Sequence, residues 1–198
     1  MIPILILAAG RSSRMRGGDK LTEMVEGVAL LRWQVMVASK VSDTVIVTLP
    51  PGPHPRYALL DGLDVKRVPL PDGPQEMSDS LRTGVAALPH GCTAVLVHLA
   101  DMPEITADDL RSLIAARETH PNARIWRATT ARDVPGHPII FDATLFPLFA
   151  KLSGDRGARS IIDAARANVR HVNLPDDHAV TDLDTPEDWA RWRDRADP

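Results

Sequence analysis

At 198 residues, with 44% hydrophobic and 25% charged side chains, the chain suits one domain with a substantial core. A formal net charge of −3 and 4% aromatic residues argue against a nucleic-acid surface, so any bound anion has to be held by local chemistry. The single cysteine, Cys92, excludes an intrachain disulfide and a multi-cysteine metal centre, and its place ahead of an apolar run reads as a buried structural thiol.

The first predicted element is an apolar run, Ile2, Ile4, Leu5, Ile6 and Leu7, that ends abruptly in Ala8, Ala9 and Gly10. A short continuous apolar run predicts a strand buried on both faces, as in a parallel sheet. Beyond it come Arg11, Ser12, Ser13 and Arg14, then Gly17, Gly18 and Lys20. Small residues leave backbone amides uncovered, and the three cations stand ready to hold an anion, so the stretch reads as a loop that grips a polyphosphate. It matches neither G-x-x-x-x-G-K-[ST], because Asp19 follows Gly18 and Leu21 follows Lys20, nor G-x-G-x-x-G. A P-loop kinase and a plain NAD enzyme are both disfavoured; an ordinary glycine turn with solvated arginines is the plain alternative.

Residues 28–40 carry Leu31, Val35 and Ala38 at helical spacing and predict a helix, followed by a strand at 44–49. Four prolines within residues 50–55 forbid regular structure there. A short strand is expected at 64–68 and a polar connection at 69–75, leading into a helix at 78–88 with Leu81, Val85 and Leu88 on one face. Ser78 reads either as an N-cap or as part of a helix start that favours a negative or electron-rich ligand.

Residues 93–100 predict another buried strand, ended by Asp101-Met102-Pro103. Ligands of open α/β sheets gather at the carboxyl ends of strands, and a carboxylate there suits Mg²⁺; a capping Asp is the plain alternative. Thr106 to Asp109 has the pattern of a capping box for a helix running to about residue 119. A strand follows at 123–129, and then Gly136-His137-Pro138, where His137 is either a surface-loop imidazole or a substrate contact. Residues 154–159 form a charged loop with Asp155, Arg156 and Arg159, opening a helix at 158–167. Its arginines suit a phosphate or another anion, and an internal Asp–Arg pair is the alternative. A last strand is expected at 169–174. Asp182 and Asp184 then alternate with Leu183 on one side of an extended segment, just before a helix started by Thr185, Pro186 and Asp188 and ending in a charged tail.

Taken together, LAAGRSSRM with a nearby Lys, MSDSLRTG, DMP, GHPIIF, GDRGAR and DLDTPED, in that order, resemble the molybdenum cofactor nucleotidyltransferase family over almost the whole chain. Within it, LAAG resembles the cytidylyltransferase branch. The chain departs from R-M-G-x-x-K by the intervening Arg16, so either Gly17 or Gly18 takes the family glycine's place, and Gln75-Glu76 stand where a glycine is usual. The resemblance implies a single domain over residues 1–198 with the glycosyltransferase-A-like fold. That fold is a three-layer α/β/α sandwich on a mainly parallel, Rossmann-like sheet, with an antiparallel strand near GHPIIF. It implies nucleotide binding by Leu7, Ala8, Ala9, Gly10, Arg11, Ser12, Ser13, Arg14, Lys20, Ser78, Ser80, Leu81 and Asp101, with Arg14, Lys20 and Asp101 catalytic. Gly136, His137, Pro138, Asp155, Arg156 and Arg159 are the implied acceptor residues. Asp101, with Asp182 or Asp184, would hold Mg²⁺ or Mn²⁺. Expected substrates are an NTP, favoured CTP, and molybdopterin, with a molybdenum-enzyme apoprotein as a further partner. GTP as donor, another phosphate-bearing acceptor, and a non-catalytic cofactor chaperone are the alternatives. With no basic leader pattern at the start and no apolar stretch approaching the ~20 residues of a membrane span, a cytoplasmic protein without membrane or nucleic-acid partners is expected.

Overall fold

Alternation along the first strand sorts the core into two halves: Ile4 and Ile6 pack into one hydrophobic cluster and Leu5 and Leu7 into the other. In the computed structural model, which describes residues 2–73 and 76–196, that strand lies at the centre of the sheet. In chain order the elements are β1 (Ile4–Leu7), β2 (Met24–Val25), β3 (Val28–Ala29), α1 (Leu30–Ser39), β4 (Val45–Leu49), β5 (Lys66–Pro69), α2 (Met77–Ala86) and β6 (Ala94–Leu99). There follow α3 (Ala107–Thr119), β7 (Ile125–Thr129), β8 (Pro135–Asp142), α4 (Phe146–Phe149), α5 (Arg159–Ala164), β9 (Val169–Asn173) and α6 (Pro186–Ala196).

Seven strands form one sheet in the order β5-β4-β1-β6-β8-β7-β9. All neighbours run parallel except β8, which is antiparallel to both β6 and β7. This is the expected three-layer α/β/α sandwich, with the antiparallel strand at GHPIIF. Leu31 and Val35 of α1, Leu110 and Leu113 of α3 and Trp189 of α6 cover one face. Leu81 of α2, Phe149 of α4 and Ile161 of α5 cover the other. Strands β1, β4 and β6 are buried on both faces, which is why they read as continuous apolar runs.

Several boundaries differ from the sequence expectation. The helix expected at 28–40 starts only at Leu30, because Val28–Ala29 pairs with Met24–Val25 across a two-residue turn in which Glu26 (φ 50) and Gly27 (φ 75) are both left-handed. That geometry is the one a tight hairpin demands. Pro55, expected in an irregular stretch, opens a 3-10 helix (Pro55–Leu60), a first-turn position where its missing N–H costs nothing. The helix expected at 158–167 is split into α5 and a 3-10 turn, Arg166–Asn168. Cys92 lies half-exposed in the turn before β6 rather than buried in it, and its partial burial raises the thiol pKa. Gln75 lies outside the described residues.

Candidate active site

The loop after β1 is held by an arginine that sequence reasoning missed. Arg56, 1% exposed, donates from Nε and Nη2 to the two carboxylate oxygens of Asp19, each at 2.7 Å. Its Nη1 donates to the Ala8 carbonyl at 2.6 Å, and Nη2 also reaches Ser12 Oγ at 3.0 Å. Ser12 Oγ in turn donates to Asp19 at 3.0 Å. Ser12 (φ 50) and Arg16 (φ 51) are both left-handed, a conformation costing a non-glycine residue about 1 kcal/mol or more, and at Ser12 the Arg56–Asp19 network holds it. Burial would raise the Asp19 carboxyl, but Arg56 outweighs it and holds the pKa below the ordinary value. No local sequence signal marks Arg56, which sits in a proline-rich stretch.

This brace sets the direction of Lys20, the next residue. Lys20 Nζ donates to Asp101 Oδ2 and, at 2.6 Å, to Asp184 Oδ1. Burial alone would lower the Lys20 pKa, but the two carboxylates raise it, so the side chain is a fixed cation. Arg14 reaches the other oxygen of Asp184 at 2.9 Å. Burial would raise the Asp184 carboxyl, yet Lys20 and Arg14 keep it below its ordinary value. Asp182 goes the other way, raised by burial and then by the negative charges of Asp101 and Asp184. Two remote segments are thereby brought to the loop: the end of β6 with Asp101, and the return segment after β9 with Asp184.

Both segments are anchored. Asp101 begins the turn after β6, where Gln34 of α1, fully buried, donates to the Met102 carbonyl at 2.7 Å and meets His98 Nε2 at 2.8 Å. On the return segment, Leu183 N–H donates to the Asp101 carbonyl at 3.2 Å and His137 N–H to the Ala179 carbonyl at 2.8 Å. Gly136 is required where that segment crosses β8: a Cβ there would lie 1.8 Å from the Ala179 carbonyl oxygen.

Two adjoining cavities lie here, and Lys20 and Asp101 stand in the wall of the first. One, about 250 Å³, is lined by Leu7, Ala8, Ala9, Gly10, Lys20, Ser80 and Asp101, all expected nucleotide residues, together with Glu76 and Met77. Arg11, Ser12, Ser13 and Arg14 line a smaller hollow that shares Gly10 and Lys20 with it. The other cavity, about 230 Å³, is lined by His137, Asp155, Arg156 and Arg159 of the expected acceptor set, and by Arg127, which the sequence reading did not single out. Leu7, Met77 and Asp155 belong to both walls.

Some expected residues fall elsewhere. Leu81 faces the second cavity rather than the first, because it projects from the inner face of α2. Ser78 is not the N-cap: Glu76 precedes the helix, and its backbone N–H donates to Asp79 at 3.0 Å. The Ser78 hydroxyl is buried without a hydrogen-bond partner among the described residues and borders neither cavity. Gly136 and Pro138 are buried in β8 and act through its path. His137 is no surface-loop imidazole. It sits within β8 and lines the second cavity, its buried Nδ1 without a partner among the described residues; burial first, then the charge of Arg127, lowers its pKa to about 4.

Among the described residues no three Asp, Glu, His or Cys groups gather closely enough to hold a metal alone. Asp101 nevertheless keeps a buried Oδ1 without a hydrogen-bond partner among the described residues, beside Asp184 and Asp182. One or two carboxylates with a free buried oxygen fit a hard cation that takes its remaining ligands from phosphate oxygens and water.

Comparison with known proteins identifies the family of the chain. Residues 4–171 match the MobA-like NTP transferase domain. The purine catabolism protein PucB of Bacillus subtilis (strain 168) is 28% identical over 201 residues, spanning 93% of this chain and 92% of that one. A molybdenum cofactor guanylyltransferase of Cereibacter sphaeroides is 30% identical over 201 residues, spanning 94% and 93%. Among solved structures, Rv0371c from Mycobacterium tuberculosis H37Rv superposes with a TM-score of 0.81 at 30% identity, covering 98% of each chain. Its complex with manganese gives 0.76 at 29% identity, covering 96% of each.

Proposed function

The chain belongs to the MobA-like NTP transferase family and is a nucleotidyltransferase, and on that footing we propose that it transfers an NMP from an NTP to a phosphate-bearing acceptor, molybdopterin being favoured. The observation that carries this reading is the convergence of Lys20, Arg14, Asp101 and Asp184 beside the small-residue loop. In the proposed reaction an oxygen of the acceptor phosphate forms a bond to the α-phosphorus. The bond to the β-phosphate oxygen breaks, and pyrophosphate leaves with the electron pair. No nucleophile is required of the protein, since the acceptor phosphate is already ionised at neutral pH. The work left to the chain is alignment and neutralisation.

In this reading backbone amides after β1 cradle the triphosphate, and Lys20 and Arg14 neutralise the departing pyrophosphate. Arg56 acts through Asp19 to keep Lys20 aimed. Asp101, with Asp184 or Asp182, would hold a divalent cation, Mg²⁺ or Mn²⁺, which supplies charge neutralisation on phosphate oxygens. That Rv0371c forms a complex with manganese supports a divalent cation in the reaction.

CTP is the favoured donor from the LAAG sequence; GTP is the second reading, supported by the guanylyltransferase relative at 30% identity. The test is Mg²⁺-dependent pyrophosphate release from CTP, GTP, ATP and UTP, with and without molybdopterin. Release from CTP only when the pterin is present supports cytidylyl transfer, and release from GTP alone shifts the donor. Release from none of them, with nucleotide or pterin still bound, contradicts the reading and favours a cofactor carrier.

A further inference from the structure

Glu76 stands where the resembling sequences have a glycine, and its side chain does what a glycine cannot. From the residue before α2 it reaches the loop between α4 and α5, where its Oε2 accepts the Gly154 N–H at 2.8 Å. A second clasp lies beside the first. Arg82 Nη1 donates to the Leu152 carbonyl at 2.7 Å, and Nη2 donates to one oxygen of Asp79, whose other oxygen accepts the Glu76 backbone N–H at 3.0 Å. Met77 adds a packing contact: a Cβ on Gly157 would lie 3.0 Å from its Cγ.

The loop held in this way has little else to fix it. Gly154 (φ 75) and Gly157 (φ 56) are both left-handed, so its shape rests on two residues of high conformational freedom. Among the described residues, the Glu76 bond is the one hydrogen bond that reaches residues 153–157 from outside residues 152–164. Yet this loop carries Asp155, which stands in both cavity walls, and Arg156, which stands in the second. Glu76 itself stands in the wall of the first cavity and not of the second. A hydrogen bond to a carboxylate is stronger than a neutral one, and losing it shifts the closed population of such a loop by about tenfold.

We propose that Glu76 is a positioning residue for the acceptor: seated in the wall of the nucleotide cavity, it fixes residues 153–157 in the wall of the second cavity through the Gly154 amide, so acceptor affinity depends on a side chain that does not touch the acceptor. This rests on the nucleotidyl-transfer reading, which assigns the second cavity to the acceptor, and it adds the side chain that ties the two halves of the site together.

The first measurement needs no ligand. Native protein is digested with trypsin, and cleavage after the exposed Arg156 and Arg159 is followed by mass spectrometry, its rate tracking the open population of the loop. Glu76→Ala should be cut there about tenfold faster than wild type. Glu76→Gln, whose amide oxygen still accepts the Gly154 N–H, should stay close to the wild-type rate. Cleavage after the exposed Arg111 of α3 reports global opening and should be equal in all three proteins. The second measurement is steady-state kinetics with Mg²⁺, CTP or GTP, and molybdopterin. Glu76→Ala should raise the KM for molybdopterin about tenfold and leave the Kd for an α,β-methylene NTP unchanged, and Glu76→Gln should restore the KM. Equal cleavage of the loop in wild type and Glu76→Ala overturns the proposal. So does faster cleavage after Arg111, which makes the role one of global stability, and so does a change confined to NTP affinity, which makes Glu76 a nucleotide contact. If no NTP yields pyrophosphate, nucleotidyl transfer fails instead, and the digestion on its own still decides whether Glu76 holds the loop.

Discussion

Arg56 shows how one buried side chain shapes a loop that carries none of its own rigidity. Its guanidinium spends its donors on Asp19, Ser12 and the Ala8 carbonyl, and so fixes both ends of the segment between β1 and Lys20. Removing one partner of such a pair leaves the other charge uncompensated, which costs about 3–5 kcal/mol when the pair is buried. Arg56→Met should therefore lower the urea midpoint markedly, and Arg56→Lys should recover only part of the loss, because an ammonium cannot serve Asp19 bidentately while reaching Ala8. Equal midpoints for wild type and Arg56→Met would show that the loop holds its shape unaided. The sequence displayed the loop through its small residues and cations. It hid the brace, because an arginine 37 positions from its partner, Asp19, leaves no local pattern.

Between elements, the same logic joins β6 to α1. His98 and Gln34 form a polar contact inside an otherwise apolar layer, and Gln34 passes it on to the Met102 carbonyl in the turn that begins with Asp101. Burial, followed by the neighbouring His137, lowers the His98 pKa to about 3, so it is neutral in the fold. The unfolded histidine titrates near 6.5, so the unfolded chain takes up the proton first as the solution is acidified. The stability linked to His98 is therefore fully present above about pH 6.5 and is lost progressively from there down toward pH 3, with a slope of at most about 1.4 kcal/mol per pH unit. Urea midpoints at pH 7.5, 5.5 and 4.5 should fall less steeply in His98→Gln than in wild type; parallel slopes would contradict the account. Strands β1, β4 and β6 were legible because burial on both faces writes itself as unbroken apolar sequence. The β2–β3 hairpin was missed because two-residue strands carry almost no periodicity, and only Glu26-Gly27 marked the turn.

Across the whole molecule, the order β5-β4-β1-β6-β8-β7-β9 puts β1 where the chain's winding reverses, with β4 on one side and β6 on the other. Open α/β sheets form their ligand crevice at such a point, outside the carboxyl ends of the strands. The loop with Lys20 follows β1 and Asp101 follows β6, so topology alone delivers two of the charged groups. The third arrives by the long return after β9, across β8 at Gly136, which is why Asp184 lies beside Lys20 despite 164 residues of separation. The motifs and their order were visible in the sequence, and so was the antiparallel strand expected from resemblance. The division of the site into two adjoining cavities was not, because Leu81, Arg127 and His137 take their facing from packing. The central claim is that Lys20 and Asp101 serve phosphoryl chemistry rather than the fold. It is tested most directly by metal-dependent pyrophosphate release measured on wild type, Lys20→Ala and Asp101→Asn. The account predicts that each variant loses at least about a hundredfold in turnover while retaining the circular dichroism spectrum of wild type. Wild-type turnover in both variants would contradict it.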